Sequence, residues 1–535
     1  MKNCACLLAY LLFAFGVFAD DKNHNHKDLT SVQLGTVHFP VSCASSVQKP
    51  FDRGVALLHS FWYEEAEKQF LQVAKDDPHC GMAHWGVAMS LWHQLWDQPY
   101  AEVISRGMDE VRAAKSEKLT PRESEYITAV GAFYGDPGNL NHDTRAKAYS
   151  DAMEKVYASY PDDHEAAAFF SLSLLASEPH SDKDFVNRKR AAAILEMLFA
   201  IEPDHPGVAH YLIHCYDVPQ LAELGIPAAR RYAQIAPAAP HALHMPSHIF
   251  ASVGLWQDDI KSNLASIAAT RTATAMQMGG EGHQFHAMHF LVYAYLQSGR
   301  EDEAQRVILE VKSMPSRQDM YGMGYDVRAF ALTNFEASYA LELHHWTEAA
   351  ALPIVPSPEP EIHVTTYLAR AIGAARMGHP SEARRDMAEI DSIAKALLEK
   401  GKQPEADFVE GQRQEALAWI EHGEGNDDSA IKLMRSLADK ETQGVIDAGT
   451  LPLHELLADM LLEAKRPQEA LAEYQADLAL NPNRFNGLYG AASAASELGR
   501  KSDAARYYQL LLKVCEGSNS TRPELKRAKE VVTEK

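Results

Sequence analysis

Cysteine is scarce in this chain, with 6 in 535 residues. No two of them form a CxxC or CxxCH motif, and no Cys/His pairing has the spacing of a zinc finger. The sequence therefore excludes c-type haem attachment and zinc-finger folding. Too few cysteines lie beyond the N-terminal segment for a disulfide scaffold: Cys43, Cys80, Cys215 and Cys515.

Positive charge is also in short supply, because 51 Lys and Arg residues face 73 Asp and Glu residues, for a formal net charge of -22. A polyphosphate or an anionic lipid surface would repel such a chain, so we expect no nucleic acid partner. Hydrophobic residues at 46% and charged residues at 23% are ordinary for a globular protein. No stretch beyond the N-terminus has 18 uninterrupted apolar residues, so the sequence predicts no transmembrane span there.

The first residues differ in character from the rest of the chain. An almost wholly apolar run from Leu7 to Phe18 is followed by small side chains at the −3 and −1 places before Asp20. This pattern predicts a secretory signal peptide over residues 1–19, and export to the periplasm or the extracellular space. The alternative is an uncleaved N-terminal anchor. Residues 20–46 are expected to form an extended lead-in.

A period of 34 residues recurs along the chain. Ala470 and Ala504 are 34 positions apart (504 − 470), and so are Tyr474 and Tyr508. A small residue followed four positions later by a large one, with proline near the end of the unit, is the signature of the tetratricopeptide repeat. The small residue lets two antiparallel helices approach closely, and the large one fills the groove to the next repeat.

The repeat is sharpest near the N-terminus, where the four signature positions are occupied by Gly54, Ala66, Phe70 and Pro78. Further copies follow through most of the chain, with Gly-Arg, Gly-His and Arg-Pro pairs at turns between helices. The sequence therefore predicts an all-α fold, an α-solenoid of tetratricopeptide-type helix-turn-helix repeats with a concave groove. The predicted divisions are a signal peptide (1–19), a lead-in (20–46), an N-terminal array with a His-rich groove (47–351), a Pro-rich break (352–363), a C-terminal array (364–520) and a charged tail (521–535).

Three stretches resemble a set of exported bacterial tetratricopeptide repeat proteins: LGTVHFPVSC at 34–43, DPHCGMAHWGVAMSLWHQLW at 77–96 and HALHMPSHIFASVGLWQDDIKSN at 241–263. The resemblance implies the solenoid fold and export. It implies no biochemical activity, so function has to be sought in the residues themselves.

Histidine is clustered in the middle of the chain. Eight of the 25 histidines lie between positions 210 and 289, in three groups. Histidines four positions apart lie on one face of a helix. Each group begins the first helix of a successive repeat, so stacking of the repeats brings the groups side by side. The groups are His210 and His214 with Asp217, then His241, His244 and His248, and then His283, His286 and His289.

Imidazole is the commonest metal ligand in proteins, and two histidines one helical turn apart can hold an ion. The alternative is that these histidines satisfy helix ends between repeats by hydrogen bonding. No HExxH motif is present, which excludes the class of zinc proteases built on it. The expected ligands of a divalent transition metal are His214, His244, His248 and His289, with His210, His286 and Asp217 in support.

The same residues, Asp217 included, are expected to line a ligand groove between residues 84 and 289 together with His241. His93 and Trp96 would stand at one end of that groove, unless the nearby tryptophans form the core between repeats. The favoured function is a binding module that holds a protein, a peptide or a small ligand in the groove, with or without a metal. The alternative is a metal-dependent enzyme that uses the clustered histidines as ligands.

Cys43 and Cys80 are predicted to form a disulfide. Cys43 precedes the first repeat and Cys80 follows the proline that ends it, so the lead-in can fold back on the first helical hairpin. Closing this loop of 38 residues, from position 43 to position 80, would stabilise the fold by about 3–4 kcal/mol in the chain-entropy estimate. The alternative is four unpaired cysteines. With the bridge formed, Cys215 and Cys515 remain as thiols.

Overall fold

The computed structural model describes residues 31–95, 98–179, 182–278, 280, 282–316, 326–441 and 451–533. Within these ranges the chain is helical and contains no β-strand, so the predicted all-α solenoid is confirmed. In chain order the helices are α1 (Ser31–Leu34), α2 (Gln48–His59), α3 (Tyr63–Asp76), α4 (Gly81–Ser90), α5 (Ala101–Ser116), α6 (Pro121–Tyr134), α7 (His142–Ser159), α8 (His164–Ala176), α9 (Val186–Ile201), α10 (Pro206–Tyr216), α11 (Ala222–Ile235), α12 (Pro240–His244), α13 (Pro246–Ser252), α14 (Trp256–Ala275), α15 (His283–Gln297), α16 (Glu301–Ser313), α17 (Val327–Glu342), α18 (Trp346–Ala350), α19 (Val364–Arg376), α20 (Pro380–Glu399), α21 (Gln403–Gly423), α22 (Asp427–Glu441), α23 (Leu453–Glu463), α24 (Pro467–Leu480), α25 (Phe485–Glu497), α26 (Lys501–Val514) and α27 (Pro523–Thr533).

The helices stack as consecutive pairs, in which a first helix contacts its own second helix and the first helix of a neighbouring pair. Small residues make the close approach possible, as the repeat signature requires. A Cβ added to Gly54 or to Gly86 would lie 2.7 or 2.3 Å from the ring of Phe70. Near the other end, a Cβ on Gly490 would lie 2.2 Å from the ring of Tyr474. The same small-to-large packing therefore joins repeats at both ends of the array.

The solenoid winds tightly enough for successive superhelical turns to touch. Helix α2 contacts α10, and α15 contacts α25. The second contact is centred on Arg484, whose guanidinium is fully buried and donates to Glu342 and Glu455 at 2.8 Å each and to the hydroxyl of Tyr293 at 2.8 Å. Arg484, at the start of α25, therefore joins side chains of α15, α17 and α23.

The lead-in caps the N-terminal end of the array. Residues 35–44 are not helical, and Phe39 is buried against the rings of Phe51, Trp85 and Tyr126. The structure joins Cys43 to Cys80, with their Cα atoms 4.9 Å apart. The other two cysteines of the described residues, Cys215 and Cys515, are buried thiols.

The Pro-rich segment is short of regular structure, with one 3₁₀ turn at Pro360–His363. Helices α17 and α19 nevertheless contact each other across it, and one hydrophobic core extends from Ala337 to Ala528. The charged tail contains α27, which packs through Leu525 and Ala528. Among the described helices, none is long and apolar enough to cross a membrane.

Candidate functional site

The clustered histidines come from the first helices of three consecutive repeats. His210 and His214 lie one turn apart on α10. A proline splits the next first helix into α12 and α13, but Met245 keeps helical dihedrals (φ −51°, ψ −34°), so His244 and His248 also stay one turn apart. The two pairs occupy equivalent repeat positions, because each histidine of the second pair follows its counterpart by 34 residues (244 − 210 and 248 − 214).

The side chains gather into two groups of three, and within each group one ring nitrogen from each histidine lies within 4.8 Å of the other two. The upstream triad consists of His210, His214 and His241, and the downstream triad of His244, His248 and His286. The two triads adjoin, since the ring centroids of His241 and His244 are 6.1 Å apart. His283 lies beside them, with its ring 5.1 Å from that of His241.

In the downstream triad, Nε2 of His244 lies 3.0 Å from Nε2 of His248. The other ring nitrogen of His248, Nδ1, donates to a carboxylate oxygen of Asp217 at 2.9 Å. A carboxylate oxygen can only accept, so the Nδ1–H tautomer of His248 is fixed and its Nε2 carries a lone pair.

The tautomer of His244 is fixed by an amide. Its Nδ1 lies 2.7 Å from Oδ1 of Asn263 on α14. The orientation of that amide is set in turn, because its Nδ2 donates to the backbone carbonyl of Asp259 at 3.1 Å and to its carboxyl group at 2.8 Å. Nδ1 of His244 therefore donates to the amide oxygen, and its Nε2 also carries a lone pair.

The upstream triad is centred on His210, whose Nδ1 donates to the backbone carbonyl of His59 at 2.6 Å. Its Nε2 consequently carries a lone pair, and it lies 3.0 Å from Nε2 of His214 and 3.1 Å from Nε2 of His241. The carbonyl that orients this ring belongs to α2, in the previous turn of the superhelix.

Each triad is covered by an aromatic ring. Phe61 lies over the upstream triad, with its ring centroid 4.3 Å from that of His210. The backbone of Phe61 is left-handed (φ 52°), a conformation that is unfavourable for a bulky residue. At the corresponding turn after α15, the residue with this conformation is Gly299 (φ 67°). Phe290 lies over the downstream triad, with its centroid 4.6 Å from that of His248. Both triads are thereby shielded from water on one side.

Burial lowers the pKa of His210, His214, His241, His244 and His286, because desolvation penalises the imidazolium form. The pKa of His244 lies well below its usual value for this reason, and the neighbouring His286 and His248 lower it further. Burial and then His248 lower the pKa of His286 in the same way. Burial, the largest effect, lowers the pKa of His210 to about 3. These rings are therefore neutral at pH 7 and offer lone pairs.

A third group of buried histidines has the hydrogen bonding of a purely structural cluster. Nε2 of His59 and Nε2 of His205 donate to the two carboxylate oxygens of Glu165, at 2.7 and 3.1 Å. Nδ1 of His59 accepts from the hydroxyl of Tyr211, and Nδ1 of His205 accepts from the backbone N–H of Val208. Every ring nitrogen here has a complementary partner. The facing Nε2 lone pairs of the downstream triad have no counterpart in this group.

The four predicted metal ligands do not come together in one group in the structure. His214 lies in the upstream triad, and His244 and His248 lie in the downstream triad. His289 belongs to neither, because its ring packs 5.5 Å from that of Phe335 at the edge of a groove of about 780 Å³ formed by α17, α19 and α21. His289 lies about one turn further along α15 than His286, and this rise along the helix axis carries it beyond the downstream triad.

The predicted end of the groove is only partly described. His93 stacks on Tyr63 with ring centroids 4.3 Å apart. Trp96 lies outside the described residues. Trp85 and Trp92 are buried between helices, the second stacked on Phe133 at 3.6 Å, so these two form inter-helix core.

Several residues that build the site have no motif in the sequence. Three of them, His59, Asp259 and Asn263, orient the histidine rings by hydrogen bonding. The other two, Phe61 and Phe290, pack their rings against the triads. One signal was present, since two His-x-x-x-His pairs separated by one repeat length indicate repeat-related sites.

No family model matches the chain, and no curated protein matches it either. Among solved structures, a monomeric IFIT1 mutant with m7Gppp-AAAA is 13% identical, with 90% of this chain and 99% of that chain covered and a TM-score of 0.33. The human IFIT1 dimer with m7Gppp-AAAA is 12% identical, with 85% and 95% covered and a TM-score of 0.33. At this sequence identity and TM-score, neither the ligand nor the activity of these proteins can be transferred to this chain. The packing of its own helix pairs makes the chain a helical-repeat protein, and its function has to be argued from the triads.

Proposed function

We propose that this protein is an exported helical-repeat protein that binds a divalent transition-metal ion through the downstream triad. The observation that supports this most directly is the contact of 3.0 Å between the Nε2 atoms of His244 and His248. The Nδ1–H group of His244 donates to the amide oxygen of Asn263, and that of His248 donates to the carboxylate of Asp217. Two lone pairs at this distance repel each other unless a cation lies between them.

A proton between the Nε2 atoms of His244 and His248 is an unfavourable way to remove this repulsion. Protonating His244 would place an imidazolium in a buried site, where burial holds its pKa well below its usual value. A divalent ion instead accepts both lone pairs and needs neutral imidazole ligands. The hydrogen bonds from Nδ1 to a carboxylate and to an amide oxygen are the arrangement that orients histidine ligands in metal sites.

The spacing of the triad also fits an ion. Nitrogens at about 2.0–2.1 Å from a tetrahedral ion are about 3.3 Å from one another. The 3.0 Å contact and the upper limit of 4.8 Å for the whole triad lie close to that value, so small side-chain rotations suffice. A set of three imidazoles without thiolate suits Zn²⁺, Cu²⁺ or Ni²⁺ better than Ca²⁺ or Mg²⁺.

An ion on the downstream triad would link three repeats. His244 and His248 come from the broken first helix, His286 comes from the next first helix, and the carboxylate that orients His248 comes from the end of α10. The favoured role is therefore a binding module whose groove is organised by the ion.

Metal content of the purified protein tests this proposal. After dialysis against Zn²⁺ and removal of the excess, elemental analysis should find the metal at stoichiometric level. His248→Ala should lower the content by one ion per chain, whereas His79→Ala, which changes an exposed histidine outside the triads, should not. Wild-type protein without bound metal would refute the proposal.

A metal-dependent enzyme is the second candidate, and a recess beside the triad favours it. Asp217, His248, Trp256 and Tyr293 line this recess, whose volume of about 10 Å³ is that of about one water molecule, so a water there would lie next to the ion. Three protein ligands leave a fourth position for water or substrate. Azide added to Co²⁺-loaded protein should change the visible spectrum if that position is open; an unchanged spectrum would favour a closed site without catalysis.

A further inference from the structure

The downstream triad has a repeat-related counterpart. His210 and His214 precede His244 and His248 by one repeat length of 34 residues (244 − 210 and 248 − 214), and each pair is completed by a histidine from the following first helix. An aromatic ring covers both triads. Repeat proteins present equivalent positions of successive repeats in equivalent surroundings, so a site built in one repeat can be built again in the next.

Hydrogen bonding does not account for all the contacts of the upstream triad. Nε2 of His210 carries a single lone pair, because its Nδ1–H donates to the carbonyl of His59. That lone pair faces two imidazole nitrogens, those of His214 at 3.0 Å and His241 at 3.1 Å. It can accept one N–H. In one of the two contacts, therefore, two ring nitrogens face each other without a hydrogen atom between them. A metal ion bound between the three rings would explain both short contacts.

We propose that the upstream triad is a second transition-metal site, so that the chain holds two neighbouring divalent ions. This rests on the proposed function, in which the downstream triad holds the first ion. The triads adjoin through His241 and His244, which are one turn apart on α12 with ring centroids separated by 6.1 Å. The centre is therefore a dinuclear, all-imidazole site for ions of the Cu²⁺, Zn²⁺ and Ni²⁺ class.

The two sites differ in the groups that orient their ligands. A carboxylate orients His248 in the downstream triad, whereas a backbone carbonyl orients His210 in the upstream triad. A carboxylate partner raises the basicity of an imidazole more than a neutral carbonyl does. The downstream site is therefore the tighter one and fills first.

Ion counting on matched variants tests the second site. His214 and His248 are equivalent repeat positions, and both are half-buried, so His214→Ala and His248→Ala form a matched pair. With Zn²⁺ as the probe, equilibrium dialysis should give two ions per chain for the wild type and for His79→Ala. Each triad variant should bind one ion, and the double variant should bind none, with helicity unchanged by circular dichroism.

The outcomes separate the two proposals. One ion in the wild type, kept by His214→Ala and lost in His248→Ala, would overturn the second site and leave the proposed function standing. Two ions retained by His214→Ala would also overturn it. No ion in the wild type would overturn both proposals.

A measurement on the wild type needs no variant. Cu²⁺ added to the metal-free protein should give the spectrum of isolated ions at one equivalent and a magnetically coupled spectrum at two, because the triads adjoin. Two equivalents that give twice the isolated spectrum would overturn the neighbouring pair.

Discussion

Asp217 and His248 are joined by a hydrogen bond of 2.9 Å from Nδ1 to a carboxylate oxygen, between residues 31 positions apart. Asp217 follows the last residue of α10, and His248 lies on α13 of the next repeat. The group that orients the ligand and the ligand itself thus belong to different repeats, so the downstream triad exists only when the repeats are stacked.

Weakening this orientation should weaken metal binding without abolishing it. Asp217→Asn keeps the shape of the side chain but removes the charge that makes the imidazole a stronger ligand, so the Kd for Zn²⁺ should rise about 10- to 100-fold. Competition with a coloured chelator measures this change. Asp258→Asn, at a partly exposed acidic position that pairs with Arg230, is the control. An unchanged Kd in Asp217→Asn would mean that the carboxylate does not act on the site.

Metal should stabilise the folded protein. An ion that binds only the folded state contributes about 2.7 kcal/mol when its free concentration is 100 times its Kd. We expect Zn²⁺ to raise the melting temperature of the wild type and of His79→Ala, and the rise should be smaller in His248→Ala. Equal rises in all three proteins would show that the downstream triad does not contribute to the stabilisation by Zn²⁺.

The metal-free protein should lose stability in acid. Burial lowers the pKa of His283 to about 3 and that of His344 to about 4, from a usual value of 6.5. Below pH 6.5 the unfolded chain binds protons that the folded chain excludes, so the free energy of unfolding falls as the pH falls. The slope is about 1.4 kcal/mol per pH unit for each histidine that stays neutral.

Urea unfolding with a chelator at pH 7 and at pH 5.5 measures this loss. His344→Asn, a residue that tolerates the left-handed backbone found there (φ 56°), should reduce the difference between the two pH values by roughly 1 kcal/mol. A variant with the same pH difference as the wild type would show that His344 does not contribute to it.

The bridge between Cys43 and Cys80 should be visible in a thiol count. Unreduced, denatured protein beginning at Asp20 should titrate two thiols, those of Cys215 and Cys515. Replacing both bridge cysteines by serine should cost about 3–4 kcal/mol of unfolding free energy, because the unfolded chain regains the freedom that the closed loop removes. Four titrated thiols would rule the bridge out.

Arg484 should be far more important to stability than an exposed arginine. Arg484→Met would leave the carboxylates of Glu342 and Glu455 buried without their cation, at a cost of about 3–5 kcal/mol. Arg466→Met, which removes an exposed pair with Glu469, should cost under about 1 kcal/mol. Similar losses in the two variants, measured by urea unfolding, would contradict this expectation.

The predicted export can be tested by determining the N-terminal residue of the exported protein. Protein recovered from the periplasm or the medium of the producing cell should begin at Asp20, because cleavage follows the small residue that ends the apolar segment. Intact-mass measurement decides the point. Retention of Met1 would favour the uncleaved anchor.

Local spacing was enough to predict the repeats and the histidine pairs. Gly54 and Phe70 follow from the repeat signature, and two histidines four positions apart share a face of any helix. These relationships depend on the geometry of one helix or one hairpin, which neighbouring residues determine.

The choice among the histidines of α15 needed the tertiary structure. His286 and His289 are both plausible from the sequence, but the packing of α15 against α12 brings only the first into a triad. The orienting carbonyl of His59 lies 151 positions from His210, and Arg484 reaches Glu342 across 142 positions. Such contacts depend on how small rotations between successive repeats add up to a superhelical turn. That sum is set by packing along the whole array, and no local pattern in the sequence encodes it.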